Sequence, residues 1–204
     1  MNSVASPMTS AVDMVFPVRG STLPRDHAQA LLDALCMQWP WLKSETQAGV
    51  HAIKLVPGTQ TQGMLSHRTK LLLRVPTQRA PELLATAGID LVVAGQPVRL
   101  GTPHARALLP YATLYAYKLA AANTDEVAFM AEVTRELAEL GIGGERVCGM
   151  RQQLTHAGGV LNTFSLMLHA LAPEQSLRVQ YQGIGPHRLL GCGIFIPHKS
   201  ADAV

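Results

Sequence analysis

Gly183-Ile-Gly-Pro-His-Arg-Leu-Leu-Gly-Cys-Gly-Ile-Phe-Ile-Pro-His-Lys199 is the most informative stretch of the chain. Gly183, Gly185, Gly191 and Gly193 surround Arg188 and lead directly into a short apolar strand, Cys192 to Pro197. That order argues against two readings of a glycine-rich segment. A dinucleotide fingerprint sets its glycines between a strand and a following helix, whereas here a strand follows. A phosphate loop places a lysine and a serine or threonine directly after its last glycine, where this chain has Ile194. Two readings stay open. One is a tight turn between a helix and an edge strand. The other is an anion-binding loop, whose free backbone amides, with His187, Arg188 and Lys199 beside them, suit a phosphate backbone.

Together with the segments upstream, this strand closes a pattern that occurs twice. Val12 to Val18 is a short apolar run stopped by Arg19-Gly20, as in a buried strand. In Thr22 to Trp39, Pro24 suits a first helical turn, and Ala28, Leu31, Leu32, Leu35 and Cys36 repeat at helical spacing. Val50 to Val56 and Lys70 to Val75 read as strands, Pro81 to Ala87 as a helix stopped by Gly88, and Ile89 to Ala94 with Val98 to Leu100 as a closing hairpin. The segment 101–110 has two prolines and no apolar period, which predicts a linker. The order then repeats: strand Tyr111 to Ala120, helix Val127 to Leu140, strands Val147 to Leu154 and Val160 to Leu171, helix Pro173 to Tyr181, and the final strand.

Two successive βαββαβ units predict an α+β fold of two tandem ferredoxin-like domains. The expected divisions are a disordered leader at 1–10, an N-terminal domain at 11–100, the linker at 101–110 and a C-terminal domain at 111–200. Hydrophobic residues make up 48% of the chain, enough for packed cores. No apolar run is long enough to cross a bilayer and no secretory signal opens the sequence, so a cytoplasmic protein without membrane partners is expected. Cys36, Cys148 and Cys192 are too scattered for a disulfide framework or a zinc site and read as buried apolar residues. A net charge of +3 permits an RNA partner without demanding one.

FPVRGSTLPRDHAQAL (16–31), GVHAI (49–53) and RLLGCGIF (188–195) together resemble the repeat-associated mysterious protein superfamily of CRISPR systems. More narrowly, they resemble the CRISPR-associated endoribonucleases that mature guide RNA, in the subtype typified by myxobacterial systems. The resemblance covers nearly the whole chain after residue 11. It implies binding of CRISPR repeat RNA, as precursor and as mature crRNA, and cleavage at the 3′ side of the repeat; other CRISPR effector subunits are further candidate partners.

Such a reaction needs neither metal nor cofactor. The RNA 2′-hydroxyl attacks the neighbouring phosphorus, the 5′-oxygen departs, and a 2′,3′-cyclic phosphate and a 5′-hydroxyl remain. The protein supplies a base, an acid and positive charge, and histidine suits both proton roles near neutrality. By the resemblance, His27 is the first catalytic candidate and His51 the second. Without it, His27 reads as a residue flanking a helix and His51 as an ordinary strand residue. Arg19 and Arg25 flank the same region and are candidates to neutralise phosphate.

Arg68 and Lys70, with Arg74, form a basic cluster that reads as a solvated sheet face or an RNA contact. His67-Arg68-Thr69 is half of a two-histidine phosphoesterase signature and lacks its second half. His104, His156, His169 and His198 show no metal-ligand spacing and receive no role. Tyr111, Tyr115 and Tyr117 share a strand face and read as packing residues. Two other functions stay open: a non-catalytic repeat-RNA-binding subunit, and a ferredoxin-like pair for ligand sensing or dimerisation.

Overall fold

The computed structural model describes residues 10–198. The N-terminal unit contains β1 (Ala11–Arg19), β2 (Thr22–Pro24), α1 (Ala28–Gln38), β3 (Gly49–Val50), β4 (Gln62–Met64), β5 (Lys70–Pro76), α2 (Ala80–Leu84), β6 (Ile89–Val93), β7 (Gln96–Leu100) and β8 (His104–Ala107). The C-terminal unit contains β9 (Leu114–Ala121), α3 (Glu126–Glu139), β10 (Glu145–His156), β11 (Gly159–His169), α4 (Pro173–Gln182) and β12 (Ile196–Pro197). The principal sheets run β3-β5-β1-β7-β6 and β10-β11-β9-β12, all pairs antiparallel. Counting the strands of each βαββαβ unit, both orders are 2-3-1-4, and the chain is two tandem ferredoxin-like folds. Among the described residues no helix is long and apolar enough to cross a membrane.

Each unit has its own core, set by side-chain periodicity. Leu31, Ala34 and Leu35 of α1 are buried at helical spacing against Met14, Phe16 and Val18 of β1, which alternate on one sheet face. Trp39, just past α1, tilts onto Phe16 with ring centroids 5.7 Å apart. In the second unit, Phe129, Val133 and Leu137 of α3 pack on the sheet, and Phe129 stacks on Phe164 at 4.7 Å. Asp125 caps α3 by accepting the Val127 N–H at 2.9 Å, which satisfies a donor that the helix itself leaves free.

Four sequence expectations need correction. Pro24 is not in α1 but in β2, opposite Gln62; the first helical bond runs from Leu31 N–H to His27 C=O at 2.8 Å. The strand expected over Val50 to Val56 is regular only at Gly49–Val50, because Ile53 turns its N–H to the His27 ring instead of to a ladder partner. The expected linker carries β8, which pairs with β1 from Val12 to Val15. Cys192 to Pro197 is strand only at its last two residues, since Cys192 and Gly193 donate to His187 C=O and Lys118 C=O.

The units join through Arg74 of β5, which is fully buried. Its guanidinium grips Asp13 through Nε (2.8 Å to Oδ1) and Nη2 (3.2 Å to Oδ2), while Nη1 donates to Phe195 C=O at 2.7 Å and Gln180 C=O at 3.1 Å. Arg74 therefore does not belong to a solvated cluster with Arg68 and Lys70. Residues 70, 72 and 74 share one face, which passes from the exposed Lys70 into the domain interface. Arg74→Ala leaves a buried carboxylate and two carbonyls without this partner, and should lower the unfolding free energy in urea titration by about 3–5 kcal/mol. A loss under about 1 kcal/mol would contradict this role.

Candidate RNA-processing site

A cleft of about 960 Å³ lies beside the Arg74 junction, between the two units. Its walls carry Lys54, Arg68, Lys70, Arg106 and Lys118, against the carboxylate of Asp13. That carboxylate is already neutralised by Arg74 and by Arg106 Nη2 at 3.0 Å. Burial alone would raise the Asp13 pKa, but Arg74, with His51 and Arg106, overrides it and holds the group at about 2. The free charge of the cleft is therefore positive, as a phosphate backbone requires. Tyr111 and Tyr117 also face the cleft and are 43% and 48% exposed, so they are not packing residues as their shared parity suggested. Tyr111 lies ahead of β9, and Tyr117 holds Lys54 Nζ at 2.9 Å from its hydroxyl.

His27 immediately precedes α1 and is only 4% exposed. Its Nδ1–H donates to Pro24 C=O at 2.8 Å, and Nε2 accepts the Ile53 N–H at 3.2 Å. Burial depresses its pKa, with the Pro24 bond acting in the opposite sense. The ring is thus neutral near pH 7, with its proton on Nδ1 and its lone pair on Nε2. His51 lies two residues before Ile53 but faces another way, with Nε2 3.8 Å from Asp13 Oδ1. Burial and the Arg74 charge lower its pKa to about 3, against the pull of Asp13. His51 is therefore neutral and a poor acid. Its Nε2 has no hydrogen-bond partner among the described residues.

The glycine-rich loop differs from an open amide cradle. Gly183 N–H donates to Val179 C=O, Ile184 N–H to Gly193 C=O, Gly185 N–H to Glu136 Oε2, Gly191 N–H to Arg188 C=O and Gly193 N–H to Lys118 C=O. These amides are spent inside the protein. Gly183 and Gly193 adopt left-handed backbone (φ 70° and 66°), and neighbouring carbonyls leave no room for a side chain at either. Arg188 is buried under the loop, where Nη2 reaches Gln47 C=O at 3.3 Å, and burial lowers its pKa to about 10. It joins the two units instead of facing solvent. His187 is exposed.

Of the remaining expected residues, Arg68 and Lys70 line the cleft, whereas Arg19 lies at a separate shallow hollow with Asp90 and Arg99. Arg25 is exposed beside His27 and donates to Thr59 C=O at 3.1 Å. Lys199 lies outside the described residues. Cys192 is buried and its thiol is pushed up to about 11, which suits packing and not nucleophilic attack. Lys54, Arg106 and Lys118 escape a reading of the sequence because each stands alone there; Arg106 is also in the stretch that read as a linker.

The family model described as Cas6 Crispr matches residues 12–200. A CRISPR-associated endonuclease Cas6 from Myxococcus xanthus is 37% identical over 194 residues, 95% of this chain and 84% of that protein. The chain belongs to the Cas6 family. A solved CRISPR associated protein Cas6 shares the fold with a TM-score of 0.64 at 7% identity, over 93% of this chain and 100% of the other. Thermus thermophilus Cse3, solved with an RNA representing a pre-cleavage complex, aligns with a TM-score of 0.51 at 16% identity, over 92% of this chain and 98% of the other. At these identities the likeness lies in the fold, which places the Cas6 architecture beneath the residues described above.

The His51 environment has a measurable signature. The unfolded chain protonates His51 below about 6.5, the folded chain only near 3, so acid favours the unfolded state across that window. Asp13, unperturbed at 3.8 and near 2 when folded, extends the loss to lower pH. Urea titrations at several pH values should show stability falling from about pH 6.5 downward. His51→Gln should flatten that slope, and an unchanged slope in the variant would refute the assignment.

Proposed function

We propose that this chain is a metal-independent endoribonuclease that cuts CRISPR repeat RNA and releases mature guide RNA. The reading rests above all on the state of His27 in a chain 37% identical to a protein named as an endonuclease. Pro24 C=O fixes the proton on Nδ1, so Nε2 presents a lone pair in the orientation a general base needs. In the free protein that lone pair is held only by the Ile53 N–H at 3.2 Å, a bond that an RNA 2′-hydroxyl can replace.

The reaction then follows from the RNA itself. The 2′-oxygen bonds to phosphorus as its proton passes to His27 Nε2, and the bond to the 5′-oxygen breaks, giving a 2′,3′-cyclic phosphate and a 5′-hydroxyl. The attacking group belongs to the substrate, so no metal-activated water is required. Lys54, Arg68, Lys70 and Lys118 hold the RNA backbone in the cleft, whose wall residue Ile53 bonds His27, and Arg25 is exposed beside His27. His51 acts in binding through its unpartnered Nε2, not in proton transfer.

Purified protein in excess chelator should cut labelled repeat RNA once, leave a cyclic phosphate, and fail on RNA with a 2′-deoxy nucleotide at the cut. His27→Ala should slow cleavage by about 10²–10⁴-fold. Binding without a cut would favour the scaffold reading, to which the burial of His27 lends support. Replacing Arg68 and Lys70 by alanine should weaken binding and reduce its salt dependence, with a log-log slope lower by about 1 for each phosphate no longer neutralised. An unchanged slope would remove them from the RNA path.

A further inference from the structure

His27 can take a proton, but His51, held neutral by its burial and by Arg74, cannot give one at neutral pH. The departing 5′-oxygen therefore needs another acid. We propose that His156 and His187 complete the reaction centre, His187 protonating the leaving oxygen and His156 steadying the phosphate beside it; this rests on the endoribonuclease reading above.

The two rings lie 5.5 Å apart between centroids, tilted by 51°, on different segments of the C-terminal unit. His156 ends β10 and His187 lies in the glycine-rich loop. Both segments meet α1 where His27 stands. Thr155 N–H donates to Asp26 Oδ2 at 3.0 Å and Ala157 N–H to Gln29 Oε1 at 3.1 Å. The residues on either side of His156 thus bond to residues on either side of His27. Ala28 packs with Leu154, Leu190 and Cys192 in a small apolar cluster beneath the junction. Three segments, each carrying one of these histidines, therefore meet at the start of α1, with Lys118 near enough to His27 to lower its pKa.

His187 is also held in an uncommon conformation. Gly183, Gly185, Gly191 and Gly193 take positive φ at no steric cost, but His187 does so with a side chain, at φ 66° and ψ 34°. Its carbonyl accepts the N–H groups of Leu190 at 2.9 Å and Cys192 at 3.2 Å, so the loop enforces the strain. Strain that a structure over-determines is characteristic of functional positions. The His187 ring is exposed and makes no hydrogen bond among the described residues, and is thus free for a ligand. His156 accepts the Gly158 N–H on Nδ1 at 3.2 Å, which leaves Nε2–H as its outward donor.

The proton balance closes on these groups. The 2′-oxygen forms its bond to phosphorus and yields its proton to His27 Nε2. The bond to the 5′-oxygen breaks, and that oxygen takes a proton from the His187 ring. His156 Nε2–H donates to a non-bridging oxygen throughout. Hydrogen-bond donors are thereby placed where the transition state gathers negative charge.

Asparagine tolerates left-handed backbone, so His187→Asn removes the acid without straining the loop. Its single-turnover rate at saturating protein should fall by about 10²-fold or more, with affinity for 2′-deoxy repeat RNA and thermal melting unchanged. Added imidazole should restore part of the rate. A substrate with sulfur in place of the leaving 5′-oxygen needs no acid, so it should be cut by His187→Asn nearly as fast as by the unaltered protein and remain slow with His27→Ala. His156→Gln should lower the rate on both substrates. Full activity of His187→Asn on ordinary RNA, or a rate loss that the sulfur substrate does not relieve, would overturn the assignment of His187 while the unaltered enzyme still cuts. Failure of the unaltered protein to cut at all would instead overturn the endoribonuclease reading and this inference with it.

Discussion

The buried grip of Arg74 on Asp13 is the constraint on which the rest depends. A guanidinium taken out of water is costly unless all its donors are used. Arg74 uses Nε and Nη2 on a carboxylate of its own unit and Nη1 on two carbonyls of the other. The same ion pair that satisfies the charge therefore sets how the two units meet. That setting forms the basic cleft, keeps His51 neutral at its floor and holds the chain at Phe195, where the glycine-rich loop ends. Arg188 adds a second tie from within that loop, through Gln47.

The glycines act through packing more than through ligand chemistry. With the amides of its four glycines consumed internally, the loop crosses tightly over Arg188 and presses Gly191 close to the Val50 carbonyl. What it offers to solvent is His187. Close packing sets its place: the loop lies against the start of α1 through Leu190 and Cys192 on Ala28, and brings an imidazole beside His156 at the hairpin end.

Much of the architecture can be read from the sequence, because Leu31, Leu35, Phe129, Val133 and Leu137 repeat at helical spacing and β1, β5, β9, β10 and β11 are apolar runs. Three of the four misreadings share a cause, a backbone group bonded outside its own ladder or helix; the fourth, β8, has two prolines around it and no apolar period to mark it as a strand. Ile53 gives its N–H to a histidine ring, Pro24 gives its carbonyl to the same ring, Cys192 donates back into its own loop at His187, and Gly193 donates to the Lys118 carbonyl. Local pattern carries no signal of such bonds. The resemblance singled out His27 and the glycine-rich loop, but residue type alone could not separate the exposed Lys70 from the buried Arg74 four residues later. His156 carries no signal in the sequence because its partners, Gln29 and Asp26 through its neighbours and His187 through its ring, are far away along the chain.

RNA is cut, in this picture, where α1, the β10–β11 hairpin and the glycine-rich loop meet. A crystal structure of the protein with repeat RNA made uncleavable by a 2′-deoxy nucleotide at the scissile position addresses that placement without intermediaries. The scissile phosphate should lie at the junction, the 2′-carbon facing His27 Nε2 and the 5′-oxygen within hydrogen-bond reach of His187, with the flanking backbone along Lys54 and Lys118. A scissile phosphate bound elsewhere, with His27 still closed on Ile53 and His187 still in solvent, would contradict it.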